Sequence, residues 1–171
     1  DNTIAPYLGG FAANPMEYAE ASKVSLYSLA DFLWNMKAYD ANSSWDQAIK
    51  FLMPKHAKEF HVFCENNIDL GATGHGLRRA NESPRFTAAL AKYKTALAAK
   101  DTTTAINLLR VQFDTLVWAA DTLLADVSEP EMTAEITPWV KVMRLVGQRG
   151  QLEMTMLDAY RKGDVATFID S

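Results

Sequence analysis

The sequence predicts an all-α protein, an up-and-down bundle of helices preceded by one strand that has no partner in the chain. Three observations predict it. Apolar residues return every three or four positions through most of the 171 residues. Proline, glycine and capping residues divide those stretches at short intervals, and short connections favour antiparallel neighbours. One apolar stretch without that period, Ile4 to Ala13, stands alone at the start.

Ile4 to Ala13 contains Gly9 and Gly10 and stops at Asn14-Pro15, a dipeptide that favours a turn. It reads as a strand, and a lone strand cannot satisfy its own backbone donors and acceptors. Poor order there, or self-association by edge pairing with a second copy, is expected. Pro15 then suits the first position of a helix, and Met16, Ala19, Lys23, Tyr27, Ala30 and Trp34 follow at spacings of three and four. Leu26, Leu29 and Leu33 widen that stripe, which predicts a helix buried on most sides.

Ser44 is placed to cap a helix through Leu52, with Trp45, Ile49 and Leu52 inward, before Pro54 forces a break. The next helix carries Phe60, Phe63 and Cys64. Residues 66–83, NNIDLGATGHGLRRANES, have three glycines and no apolar period, so they read as an ordered loop. Pro84 starts a helix with Phe86, Leu90, Tyr93 and Leu97 on one side, and Asp101 or Thr102 caps the following one. Ile106, Leu109, Phe113, Leu116, Val117, Ala120, Leu123 and Leu124 form its stripe, which Glu129-Pro130 closes. A last helix spans about Met132 to Arg161. Pro138 should bend it, Gly147 and Gly150 should let a neighbour approach, and Gly163 should end it.

Composition narrows the functions. The chain is 49% hydrophobic and 22% charged, with four Trp, eight Phe and six Tyr to build a core. Its 17 Lys and Arg against 21 Asp and Glu give no basic footprint for nucleic acid. No apolar run reaches the ~20 residues of a membrane span, so no membrane partner is expected. The first residues show no secretory signal pattern. At this length the chain cannot hold a whole (β/α)8 barrel, which takes about 250 residues.

The side chains offer little self-contained chemistry. Glu17 and Glu20 share one helix face, but they read as a solvated first turn favoured by the helix dipole rather than a catalytic pair. No two consecutive aspartates occur. His56, His61 and His75 match no metal-ligand spacing, and they read as solvated or capping side chains. Asn67 and Asp69 before Gly71 echo a calcium loop whose remaining ligands are missing. No metal and no cofactor is expected. Gly71, Gly74 and Gly76 read as turn residues, Arg78 and Arg79 as a solvated pair, and Cys64 as an inert core thiol. Trp34, Trp45, Trp118 and Trp139 lie on apolar stripes and read as core.

PYLGGFAANPMEYAEASKVSLYSLADFLWN (6–35) followed by YDANSSW (39–45) resembles the end of the catalytic barrel of family 84 glycoside hydrolases. NNIDLGATGHGLRR (66–79) and EITPWV (135–140) resemble signatures of the helical domain that follows that barrel in bacterial members. These enzymes are β-N-acetylglucosaminidases, related to O-GlcNAcase and formerly called hyaluronidases. The resemblance implies that residues 1–38 are the last barrel strand and helix, and 39–171 a post-catalytic bundle. It implies a parent enzyme acting on N-acetylglucosamine-containing substrates by a retaining, substrate-assisted mechanism, and a periplasmic or secreted location for a bacterial parent. The two catalytic aspartates of that mechanism lie on an earlier strand and are not in this sequence, so the chain alone should be inactive, its partner being the missing barrel. One family residue carries over: Asn14 matches the asparagine that hydrogen-bonds hydroxyls of the bound sugar. Without the resemblance, the residues are equally compatible with a helical interaction or spacer module.

Overall fold

A computed structural model describes residues 7, 9–14, 17–67 and 83–164. Six helices follow one another among them: α1 (Ala19–Trp34), α2 (Ala41–Leu52), α3 (Ala57–Glu65), α4 (Pro84–Ala98), α5 (Thr102–Ala125) and α6 (Pro130–Lys162). By packing, the chain divides into two units, one of residues 1–57 and 127–137, the other of residues 58–126 and 138–171.

In the first unit α1 packs on α2. Tyr27 meets Phe51 at 5.9 Å between ring centres, and Phe32 meets Tyr39 edge-on at 5.3 Å. The Ser28 and Tyr39 hydroxyls share a 2.7 Å hydrogen bond. The buried apolar side chains described there are Ala48, Ile49 and Met53 with Met132 and Ile136 from the start of α6. Helix α2 begins one turn earlier than its sequence suggests. Asp40, not Ser44, is its cap, its carboxylate accepting the Ser43 N–H at 2.7 Å, while Ser44 is buried inside the helix. Both residue types cap well, and the pattern alone does not choose between two of them a turn apart.

Two expectations about burial need correction, one for α1 and one for the tryptophans. Helix α1 is not buried on most sides: Ser22 is its one buried residue, Leu26 and Leu29 are half-buried, and Leu33 is exposed. Nor are all the tryptophans core, since Trp34 is 93% exposed and Trp118 and Trp139 keep over a third of their surface. Apolar spacing states which residues share a face, not whether anything covers that face. The expected strand is also not formed among the described residues. Gly9–Asn14 is irregular and exposed, with Tyr7 and Phe11 in solvent, as follows when an extended segment finds no second strand.

The second unit is built on an α4–α5 hairpin. Lys100 turns the corner with φ of 62°, and the Lys100 and Asp101 N–H groups close onto the Leu97 and Ala96 carbonyls at 2.9 Å each. That is the paired bonding that ends a helix in a left-handed residue. Asp101 then caps α5, accepting the Thr104 N–H at 3.1 Å. Phe86, Leu90, Tyr93 and Phe113 pack against buried Ala89, Ile106, Leu109 and Met154, with Phe86 and Phe113 edge-on at 5.3 Å.

Helices α5 and α6 run antiparallel within this unit. Asp121 pairs with Arg144 at 2.7 Å, Asp114 accepts from Gln151 at 2.7 Å, and Arg110 donates to the Met154 carbonyl at 3.4 Å. Residue numbers fall on one helix as they rise on the other. Gly147 and Gly150 lie in this seam, where the backbone and ring of Phe113 occupy the space a side chain would need. Gly163, at φ of 70°, ends α6 with the same pair of closing bonds, from Gly163 to Tyr160 and from Asp164 to Ala159. Pro138 sits inside α6, where the two units divide.

Candidate functional site

Asn14 is the one residue that the sequence connects to a ligand, and the structure leaves its carboxamide in solvent. The segment that contains it leads into α1. The cap position of that helix is Tyr18, whose side chain makes no capping bond. Two other groups hold the first turn. Ser22, 1% exposed, donates its hydroxyl to the Tyr18 carbonyl at 2.6 Å. Glu135, from the start of α6, accepts the Ala21 N–H at 2.9 Å. A carboxylate is well suited there, because the helix dipole and the unpaired N–H groups of a first turn both favour negative charge.

A second cluster lies in the other unit, where α3 ends and α4 begins. Glu65 is 5% exposed, and Arg85 donates its Nε–H to both carboxylate oxygens, at 2.8 and 2.9 Å. The Arg85 Nη2 also lies 3.3 Å from His61 Nδ1, and the Ser83 N–H donates to the Glu65 carbonyl at 2.9 Å. A hollow of about 230 Å³ adjoins this pair, walled by Val62, Asn66, Phe86, Gln112 and Leu116. Its polar groups are largely committed already: Asn66 donates to the Val62 carbonyl at 2.8 Å, and Thr115 to the Val111 carbonyl at 2.7 Å. The cluster ties the ends of α3 and α4 together rather than presenting unsatisfied groups to a ligand.

The other sequence candidates are placed as follows. Glu17 precedes α1 and so shares no helix face with Glu20, which instead pairs with Lys23. His56 is 9% exposed, so of its two readings the solvated one does not hold; it follows Pro54 in the tight bend after α2 and stands immediately before α3, the position of a capping residue. His61 joins the Glu65 cluster. Asn67 donates its amide N–H to the Phe63 carbonyl at 2.8 Å, closing the end of α3. Cys64 retains some surface, but burial around its thiol pushes the pKa up to about 12, so it carries almost no thiolate at neutral pH. Asp69, Gly71, Gly74, His75, Gly76, Arg78 and Arg79 lie outside the described residues. Among the described residues no group of three or more His, Cys, Asp or Glu side chains could hold a metal ion, and no helix is long and apolar enough to cross a membrane.

Sequence reasoning missed Glu135 and the Glu65–Arg85 pair. Glu135 falls in EITPWV, a stretch already conspicuous, but its contact with Ala21 is 114 residues away and has no local signature.

Comparison with known proteins agrees with this architecture. Residues 1–65 match the family described as beta-N-acetylglucosaminidase, and residues 81–170 match the bacterial GH84 post-catalytic domain. Among solved structures, the protein named CpGH84B superposes with a TM-score of 0.83 at 22% identity, over 99% of this chain and 29% of its own. A mutant of the Thermobaculum terrenum O-GlcNAc hydrolase gives 0.82 at 22% identity, over 99% of this chain and 36% of its own. CpGH84D gives 0.84 at 23% identity, over 92% of this chain and 26% of its own. The chain thus spans about a third or less of the length of these proteins, and their likeness shows a shared fold. With the post-catalytic domain matched over more than half of its residues, the chain belongs to the bacterial family 84 glycoside hydrolases.

Proposed function

We propose that this chain is part of a retaining, substrate-assisted β-N-acetylglucosaminidase of the O-GlcNAcase type. Residues 1–38 supply the last strand and helix of the catalytic barrel, and 39–171 form a helical domain that supports the barrel without itself catalysing. The observation that carries this reading is the order of the two family matches along one chain, the glycosidase first and the post-catalytic domain after it.

Within that reading Asn14 binds substrate. Barrel active sites gather where strands end and helices begin, and Asn14 stands on the approach to α1. Its carboxamide offers a donor and an acceptor to adjacent sugar hydroxyls. The substrate's own acetamido oxygen acts as nucleophile in this chemistry, so the protein must hold the sugar and supply two acids from elsewhere in the barrel. This chain supplies the holding and not the acids.

The full-length protein that carries this chain is expected to release nitrophenol from 4-nitrophenyl N-acetyl-β-D-glucosaminide, and the 171-residue chain alone to release none above a buffer control. Activity in the chain alone, or none in the full protein, sinks the reading. A second reading, a docking module without enzymatic role, draws on the exposed Val142, Leu145, Val146 and Leu152 of α6, an apolar stripe of the kind that partners cover.

A further inference from the structure

Helix α1 begins without a cap of its own. Ser22 donates its N–H to the Tyr18 carbonyl at 3.0 Å, the first bond of the helix, so the Ala21 N–H just before it has no carbonyl within the helix to reach. The Tyr18 side chain makes no capping bond. The acceptor comes from Glu135, whose carboxylate oxygen is 2.9 Å away, and the turn of α6 that carries it is fixed by buried Met132, Thr133 and Ile136. Asn14 lies seven positions before Ala21, on irregular backbone. Whatever fixes the first turn of α1 therefore fixes one end of the short chain on which Asn14 rides.

We propose that Glu135 is a positioning residue for substrate binding: by capping α1 from α6 it sets where the Asn14 carboxamide stands. The inference rests on the function proposed above, and it adds a residue that touches no substrate itself. In that reading Asn14 holds hydroxyls that are not on the reacting anomeric carbon, so its displacement is expected to weaken binding more than it slows the chemical step.

The test uses the full-length protein that carries this chain, assayed on the aryl N-acetylglucosaminide below the melting temperature of every variant. Glu135→Ala is expected to raise KM roughly tenfold, the size of one hydrogen bond to a charged group, with kcat changed by less than about twofold. Glu135→Gln, whose amide oxygen still accepts from Ala21, is expected to restore most of that loss. In an Asn14→Ala background, Glu135→Ala is expected to change KM no further, because the two act through one contact. An unchanged KM in a folded Glu135→Ala protein, or additive losses in the double variant, overturns the proposal. A wild-type protein with no hydrolysis overturns the functional reading instead. Amide hydrogen exchange over residues 17–24 then decides the cap by itself: faster exchange in Glu135→Ala upholds it, and unaltered exchange overturns it.

Discussion

A β-carbon on Gly147 would stand 3.0 Å from the carbonyl oxygen of Phe113 and 2.7 Å from Cγ2 of Val117. The glycine is thus the condition for α6 to lie against α5 where it does. Gly147→Ala gains up to about 1 kcal/mol in helix propensity, yet it forces apart two backbones that side-chain rotation cannot separate. The expected net effect is destabilisation by about 1–3 kcal/mol in urea titration. A midpoint raised above the wild-type value would contradict the seam described above.

Lys100 holds a left-handed conformation that costs a residue with a side chain about 1–2 kcal/mol. Glycine adopts it freely but loses more freedom on folding, so Lys100→Gly is expected to stabilise the chain by only about 0.5–1 kcal/mol. Thermal unfolding should show a rise of a few degrees, and a fall would mean that α4 does not end in this turn.

The Glu65–Arg85 pair is asymmetric, with a carboxylate 6% exposed and a guanidinium half in water. Arg85→Ala strands the buried charge and is expected to cost about 1–3 kcal/mol. Glu65→Gln leaves a solvated arginine and should cost less. Equal losses in chemical denaturation would show that the carboxylate is not the desolvated member.

At the start of α5, the hydroxyl and N–H of Thr104 hold the Asp101 carboxyl below its ordinary value. A carboxyl whose pKa is lowered by folding stabilises the fold above its unfolded pKa, and the contribution is lost as pH falls through the folded value. The stability difference between wild type and Asp101→Ala should therefore be level from pH 7 to about pH 5 and shrink below about pH 4. A gap that stays constant to pH 2 would remove the cap from this account.

The second unit was the more legible in the sequence. Pro84, Asp101 and Gly163 all stand at the helix limits their chemistry implies, and the stripe from Ile106 to Leu123 is the face that α5 buries. Local signals suffice there because each limit is set by residues within one turn of it. The first unit depends on contacts that spacing cannot express: α1 has an apolar period and little cover, and Trp34 shares its stripe while standing in solvent. The site followed the same division. Asn14 was marked by resemblance, whereas the residue that caps the helix beyond it comes from the far end of the sequence.

Trp34 has a spectroscopic consequence. An indole so open to water emits at long wavelength and is reached readily by acrylamide, unlike the better shielded Trp45. Any surface that later covers the end of α1 will shift that emission to the blue, so the chain carries its own optical gauge of assembly.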